Sequence, residues 1–141
     1  LKKSTIFRLL LVFGFAAALG LTSTTASASS WHKGTPSFLI HKYYRTSIKH
    51  GYAGVPQFNY VYGSKKSFIY KVAQADGSGG SASYKKSGST YTIRTKNAWG
   101  SQYFTIKKLS STKFKVKTGS SRYETMTRFY HFPKYKGSAV R

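Results

Sequence analysis

Phe104-Thr105-Ile106-Lys107-Lys108-Leu109-Ser110-Ser111-Thr112-Lys113-Phe114-Lys115-Val116-Lys117 is the stretch from which the fold can be read. Phe104 and Ile106 alternate with Thr105 and Lys107, and Phe114 and Val116 alternate with Lys113, Lys115 and Lys117. A period of two belongs to a β-strand with one face buried and the other in water. Two such runs around Ser110-Ser111-Thr112 read as a hairpin, and its register follows from keeping the faces apart. An odd loop of three or five residues pairs Ile106 with Val116 and sets Lys107 beside Lys115, whereas a two-residue turn would put Lys107 opposite Phe114. The odd loop is therefore predicted. It brings like charges together at a cost of up to about 1 kcal/mol. A lysine face of this kind either seats an anion from solvent or serves as a solvated wall that discourages strand edges from aggregating.

Working outward, short runs of aromatic, β-branched and Thr residues recur between Gly/Ser clusters. They predict strands near 38–45, 57–62, 67–72, 81–86, 90–96, 102–109, 113–118 and 123–132. Gly63-Ser64-Lys65-Lys66, Ser87-Gly88-Ser89 and Gly119-Ser120-Ser121 supply the turns. The fold class is all-β, a small up-and-down antiparallel barrel or tight sandwich of about eight strands. The stretch Ala75-Asp76-Gly77-Ser78-Gly79-Gly80-Ser81 is followed by neither a Lys-Ser/Thr pair nor a helix pattern, so it reads as a flexible hairpin loop and not as a phosphate loop. Thr35-Pro36 ahead of Ser37-Phe38-Leu39 predicts a capped helical turn that plugs one barrel end, with Trp31 as its cover. In the last strand two faces compete for the core, Met126, Tyr130 and Phe132 against Thr127, Phe129 and His131.

Residues 1–28 have the three parts of a secretory signal. Lys2, Lys3 and Arg8 form a basic end, Leu9 to Leu21 an apolar run, and Ala26-Ser27-Ala28 a small-residue cleavage site. The run of about 13 residues falls short of the roughly 20 that span a bilayer. Cleavage after Ala28 is expected, giving one extracellular β domain, 29–141. Leu1 in place of Met reads as a non-AUG start codon of a bacterial gene. No sorting pattern or apolar tail marks Gly137-Ser138-Ala139-Val140-Arg141, so release from the cell is expected, with only non-covalent contacts to hold the product at its surface.

The whole chain carries 24 Lys and Arg against two acids, Asp76 and Glu124, a net charge of +22. Three of those cations belong to the signal, which leaves +19 on the 113 residues after it. The chain has no Cys, so export brings no disulfide and no thiol chemistry. Its 12 Tyr, with seven Phe and both Trp beyond the signal, make an aromatic-rich domain. These rings pack a core or, alternatively, lie outside as a sugar- or base-stacking surface with the lysines.

At Trp31-His32-Lys33-Gly34-Thr35-Pro36, followed by Leu39 and Lys42-Tyr43-Tyr44-Arg45-Thr46, the chain resembles small secreted Lys-, Tyr- and Thr-rich proteins of lactobacilli. That resemblance implies an extracellular β protein. The chain is also similar in architecture to lipocalin-like (calycin) barrels, which open with a helical turn and a Gly-x-Trp covered by a basic residue of the last strand. His41-Lys42-Tyr43 stands at that triplet and Arg128 at the basic position. This resemblance implies a barrel end at which Arg128 covers Tyr43, and no ligand cavity is carried over with it; the ligand-binding alternative would add contacts at Trp31 and a pocket opening near Trp99 in the Asn97-Ala98-Trp99-Gly100 turn.

Two carboxylates in separate segments give little for general acid–base work, and no Gly-x-Ser-x-Gly occurs, so the chain is not expected to be an enzyme. His32, His41, His50 and His131 lack ligand spacing, and neither a metal nor a cofactor is expected. The positive field remains. It attracts polyanions with a salt-dependent affinity. The expected function is non-enzymatic, electrostatic association with an anionic wall polymer such as teichoic acid, or with an anionic membrane surface, through Lys107, Lys113, Lys115 and Lys117 and through Lys65, Lys66, Lys85 and Lys86 at hairpin tips. A ligand-binding lipocalin-like barrel and a cationic antimicrobial protein are the alternatives, and nucleic acid is expected to bind only non-specifically.

Overall fold

In the computed structural model, which describes residues 29–141, the hairpin of residues 104–117 has the predicted register, with Ile106 opposite Val116 and Lys107 opposite Lys115. It belongs to an eight-stranded antiparallel barrel that is closed, with one extra strand. The predicted signal, residues 1–28, lies outside the described residues. In chain order the strands are β1 (His32–Lys33), β2 (Lys42–Arg45), β3 (Lys49–His50), β4 (Pro56–Gln57), β5 (Asn59–Gly63), β6 (Ser67–Val72) and β7 (Gly77–Ser87). There follow β8 (Thr90–Asn97), β9 (Gly100–Lys108), β10 (Lys113–Thr118), β11 (Glu124–Phe129), β12 (Lys134–Tyr135) and β13 (Ser138–Ala139).

From β5 to β11 each strand pairs with the next, an up-and-down meander. β2 closes the ring by pairing with β5 on one side and β11 on the other. The eight predicted strands correspond to β2 and β5 to β11, with differences in extent; β5 begins at Asn59 in place of 57 and β7 at Gly77 in place of 81. Residues 38–41 are not strand, because Ser37–Leu39 forms the predicted helical turn and His41 takes a positive φ of 56° before β2 begins. The last strand stops at Phe129, short of 132.

The glycine-rich stretch is a correction. Residues 77–81 are not a loop; they are the first half of β7, paired with β6, while residues 81–87 pair with β8. The glycines permit close backbone approach: a Cβ on Gly79 would run into the Phe68 carbonyl, and one on Gly80 into the Lys96 carbonyl. Glycine inside a strand often marks such a close approach of another backbone.

Alternation sorts the side chains into an inner and an outer set. Inside lie Leu39, Tyr44, Val61, Phe68, Ile93, Phe104, Ile106, Phe114, Val116 and Met126, one continuous buried cluster. The helical turn closes one end, where Phe38 packs on Tyr91 at 5.0 Å and the Tyr44 hydroxyl donates to the Phe38 carbonyl at 3.0 Å. Capping by Thr35 does not occur. Pro36 stands at the cap position in an extended conformation, and the Thr35 hydroxyl donates instead to the Ser67 carbonyl at 2.9 Å.

A second core sits outside the barrel wall. Phe58, Tyr60, Phe129 and Val140 are buried together with Tyr43, Ile48, Phe132 and Tyr135 packed around them. The chain beyond β11 runs back along this wall as a strap. β12 and β13 form a tight hairpin through Lys136 and Gly137, both at positive φ, and the Arg141 carbonyl accepts from the Gln74 amide at 2.7 Å. Both faces of β11 are thus used: Met126 points into the barrel and Phe129 into the second core.

Candidate functional site

The outward residues of β7 to β10 build a continuous wall, and the pairing register fixes its rows. One row reads Lys85, Thr92, Thr105, Lys117 and the next Ser83, Arg94, Tyr103. Toward the plugged end a third row carries Thr90, Lys107, Lys115 and Thr125. Lys113, a further two residues along β10, faces Thr127. The structure thus brings Lys107, Lys113, Lys115 and Lys117 onto one face, as expected, with Lys85 three strands away.

Aromatic rings are interleaved with these charges. Tyr123, just ahead of β11, lies with its ring centre 4.9 Å from the Lys107 ammonium and 5.2 Å from that of Lys117. Trp31 lies against the same wall, 4.5 Å from the Arg94 guanidinium and 5.4 Å from the Lys85 ammonium, with its ring edge-on to Tyr103 at 6.5 Å. Cations gain from the negative faces of such rings, about 0.5–1 kcal/mol at exposed sites, which offsets part of the repulsion between Lys107 and Lys115. Arg94, Tyr103 and Tyr123 were not among the expected site residues. Arg94 and Tyr103 share the outward parity of Thr92 and Lys107, and Tyr123, at the start of the strand predicted over 123–132, shares that of Thr125, a signal that alternation carries.

Other expected residues disperse. Lys65 and Lys66 form a hairpin tip at the plugged end, where the Lys65 carbonyl accepts from the Thr35 amide. Lys85 and Lys86 are not at a tip; both lie within β7, and Lys86 turns toward the barrel end, 5.6 Å over the Tyr91 ring. Trp31 covers the outer wall and not the barrel end. Arg128 does not cover Tyr43: it pairs with Tyr44, on the opposite face of β11 from Phe129, and sits 4.9 Å over Tyr130. Tyr43 instead stacks on Tyr62 at 4.5 Å, within the outer core. Trp99 stands almost fully exposed at the tip of the β8–β9 hairpin, beside a shallow pocket of about 210 Å³ lined partly by Ser78, Asn97 and Gln102.

Both acids lie at the end opposite the plug. Asp76 is exposed in the turn before β7. Glu124 begins β11 on its inward face, and its two carboxylate oxygens accept from the Asn59 amide at 2.8 Å and the Tyr70 hydroxyl at 2.5 Å. Burial, and then the bond to Glu124, push the Tyr70 phenol above its ordinary range. A cleft of about 610 Å³ opens beside this cluster, lined by Thr46, Lys49, Gln57, Asn59, Phe58 and Glu124 among others. The outer wall therefore carries cations with no carboxylate among them, because the chain's two acids are spent elsewhere. Neither a family model, nor a curated protein, nor a solved structure matches this chain.

Proposed function

We propose that the protein is a secreted, non-enzymatic, cationic barrel that adheres electrostatically to anionic polymers of the cell envelope, of which teichoic acid is the type. The observation that carries this reading is the uncompensated wall. Lys107 faces Lys115 across β9 and β10, with Lys113 and Lys117 on the same face, in a chain whose acids are both at the unplugged end. Like charges opposed across a ladder lower stability, so the arrangement gains its value from an anion supplied by a partner. Lysine suits that task, being a point charge that asks no fixed geometry of a repetitive phosphate chain. The filled barrel supports adhesion through the outside of the molecule, since Tyr44, Phe68, Phe104 and Phe114 occupy its interior.

Export places the protein beside such polymers, and sequencing the N-terminus of the protein from culture medium should give Ser29. Fractionating the culture tests the function. With polymer contacts made by charge, a wash with about 0.5 M salt releases the protein from the cells, because counterions then compete for every phosphate. Retention through that wash overturns the electrostatic account.

A further inference from the structure

We propose that the outer wall between Trp31 and Tyr123 is a sugar-stacking subsite whose occupant is an anionic polysaccharide, a chain of sugar rings bearing acidic groups. The proposal rests on the adhesion reading above and deepens it by naming the class of polyanion. A chain of phosphates needs only point charges. This wall offers more.

Trp31 is 38% exposed and Tyr103 49%, although both are large rings that a core would bury to advantage. They are gathered around Arg94, whose Nε donates to the Ser83 hydroxyl at 3.3 Å and so is held against the wall beneath them. Tyr123 makes a second station between Lys107 and Lys117. The row Lys85-Thr92-Thr105-Lys117 links the two stations. At a strand spacing of about 4.8 Å, its ends are about 14 Å apart. Each station thus combines an aromatic ring with two cations, and the strip between them carries threonine hydroxyls.

A pyranose ring matches that pattern group by group. Its C–H face packs on the electron-rich face of Trp or Tyr, its hydroxyls exchange hydrogen bonds with Thr92 and Thr105, and a carboxylate or other acidic substituent meets Lys85, Arg94, Lys107 or Lys117. A single-stranded nucleic acid would also stack, but it favours adjacent platforms for successive bases. Here the stations are separated by a hydroxyl-bearing strip.

The experiment uses the mature protein with three probes of similar length: polygalacturonate, inorganic polyphosphate and poly(dT). Trp99→Phe leaves Trp31 as the chain's only tryptophan; Trp99 stands at the tip of the β8–β9 hairpin and belongs to none of the rows that carry the two stations. In that background polygalacturonate should shift the Trp31 emission and polyphosphate should not. Trp31→Ala and Tyr123→Ala should each weaken polygalacturonate binding roughly tenfold, while polyphosphate binding changes less than about twofold and the salt slope stays constant. An unchanged far-UV circular dichroism spectrum and thermal midpoint show that the variants fold, and Trp31→Phe should restore most of the lost affinity. Equal losses on both probes, no loss on either, a silent Trp31 emission, or a larger aromatic-dependent loss on poly(dT) would each overturn the subsite. Failure of the unsubstituted protein to bind either anionic polymer in a salt-dependent way would instead overturn the adhesion reading itself.

Discussion

Tyr70 and Glu124 show how single residues are placed against the prevailing charge. Glu124 starts an inward face near the unplugged end, and its oxygens are met by two neutral donors, Asn59 and Tyr70. Burial raises the phenols of Tyr44, Tyr60 and Tyr70 above the value of 10 that an exposed tyrosine has. In the unfolded chain these groups lose protons near pH 10, whereas the folded barrel keeps them. Their contribution is therefore complete below pH 10 and is lost as pH rises beyond it. Tyr70→Phe should lower stability at neutral pH by about 1–3 kcal/mol, the cost of a hydrogen bond to a charged acceptor. The gap between the two proteins, followed by denaturant melts from about pH 8 upward, should narrow above about pH 10. A gap that stays constant or widens would exclude Tyr70 as a linked group.

At the scale of elements, the strands follow alternation and the connections follow packing. β7 shows the limit of reading composition, for its glycines looked like a loop and instead let two neighbouring backbones come close. The strap after β11 shows the reverse, a segment without a strong pattern that completes a core. Val140, 2% exposed, is its deepest point. Val140→Ala should lower stability by about 2 kcal/mol, from two methyl groups withdrawn from the outer core and the space they leave. Polymer binding should be unchanged, because none of Trp31, Arg94, Lys107, Lys117 and Tyr123 belongs to the outer core that Val140 fills. A loss of stability under a few tenths of a kcal/mol in denaturant melts would show that the strap is peripheral.

For the whole molecule, net charge sets both behaviour and cost. A charge of +19 on residues 29–141 repels itself, and two acids offset little of it. Raising salt from about 0.02 M to about 0.3 M shortens the Debye length from roughly 20 Å to roughly 6 Å. The thermal midpoint of the free protein should rise over that range while its affinity for anionic polymer falls. A midpoint that drops with salt would mean that attractive pairs, and not repulsion, dominate the surface.

The hairpin of residues 104–117 was legible to the register, because alternation and loop parity are local and only one pairing keeps Ile106, Phe114 and Val116 on one side. Strand number and the lysines of β9 and β10 were legible for the same reason, whereas the helical turn was read from Thr35-Pro36 and forms without the Thr35 cap. The amino-acid sequence by itself determined the all-β class, the charge and the alternation that turns lysines outward. Only the tertiary structure decided that Phe129 has a second core to enter, that Trp31 lies on the wall with Arg94, and that Tyr123 reaches both Lys107 and Lys117. The terminal strap completes the core that Phe129 enters, the pairing of β1 with β7 carries Trp31 to Arg94, and Tyr123 meets the two lysines across the β10–β11 turn, so alternation within a single strand records none of them.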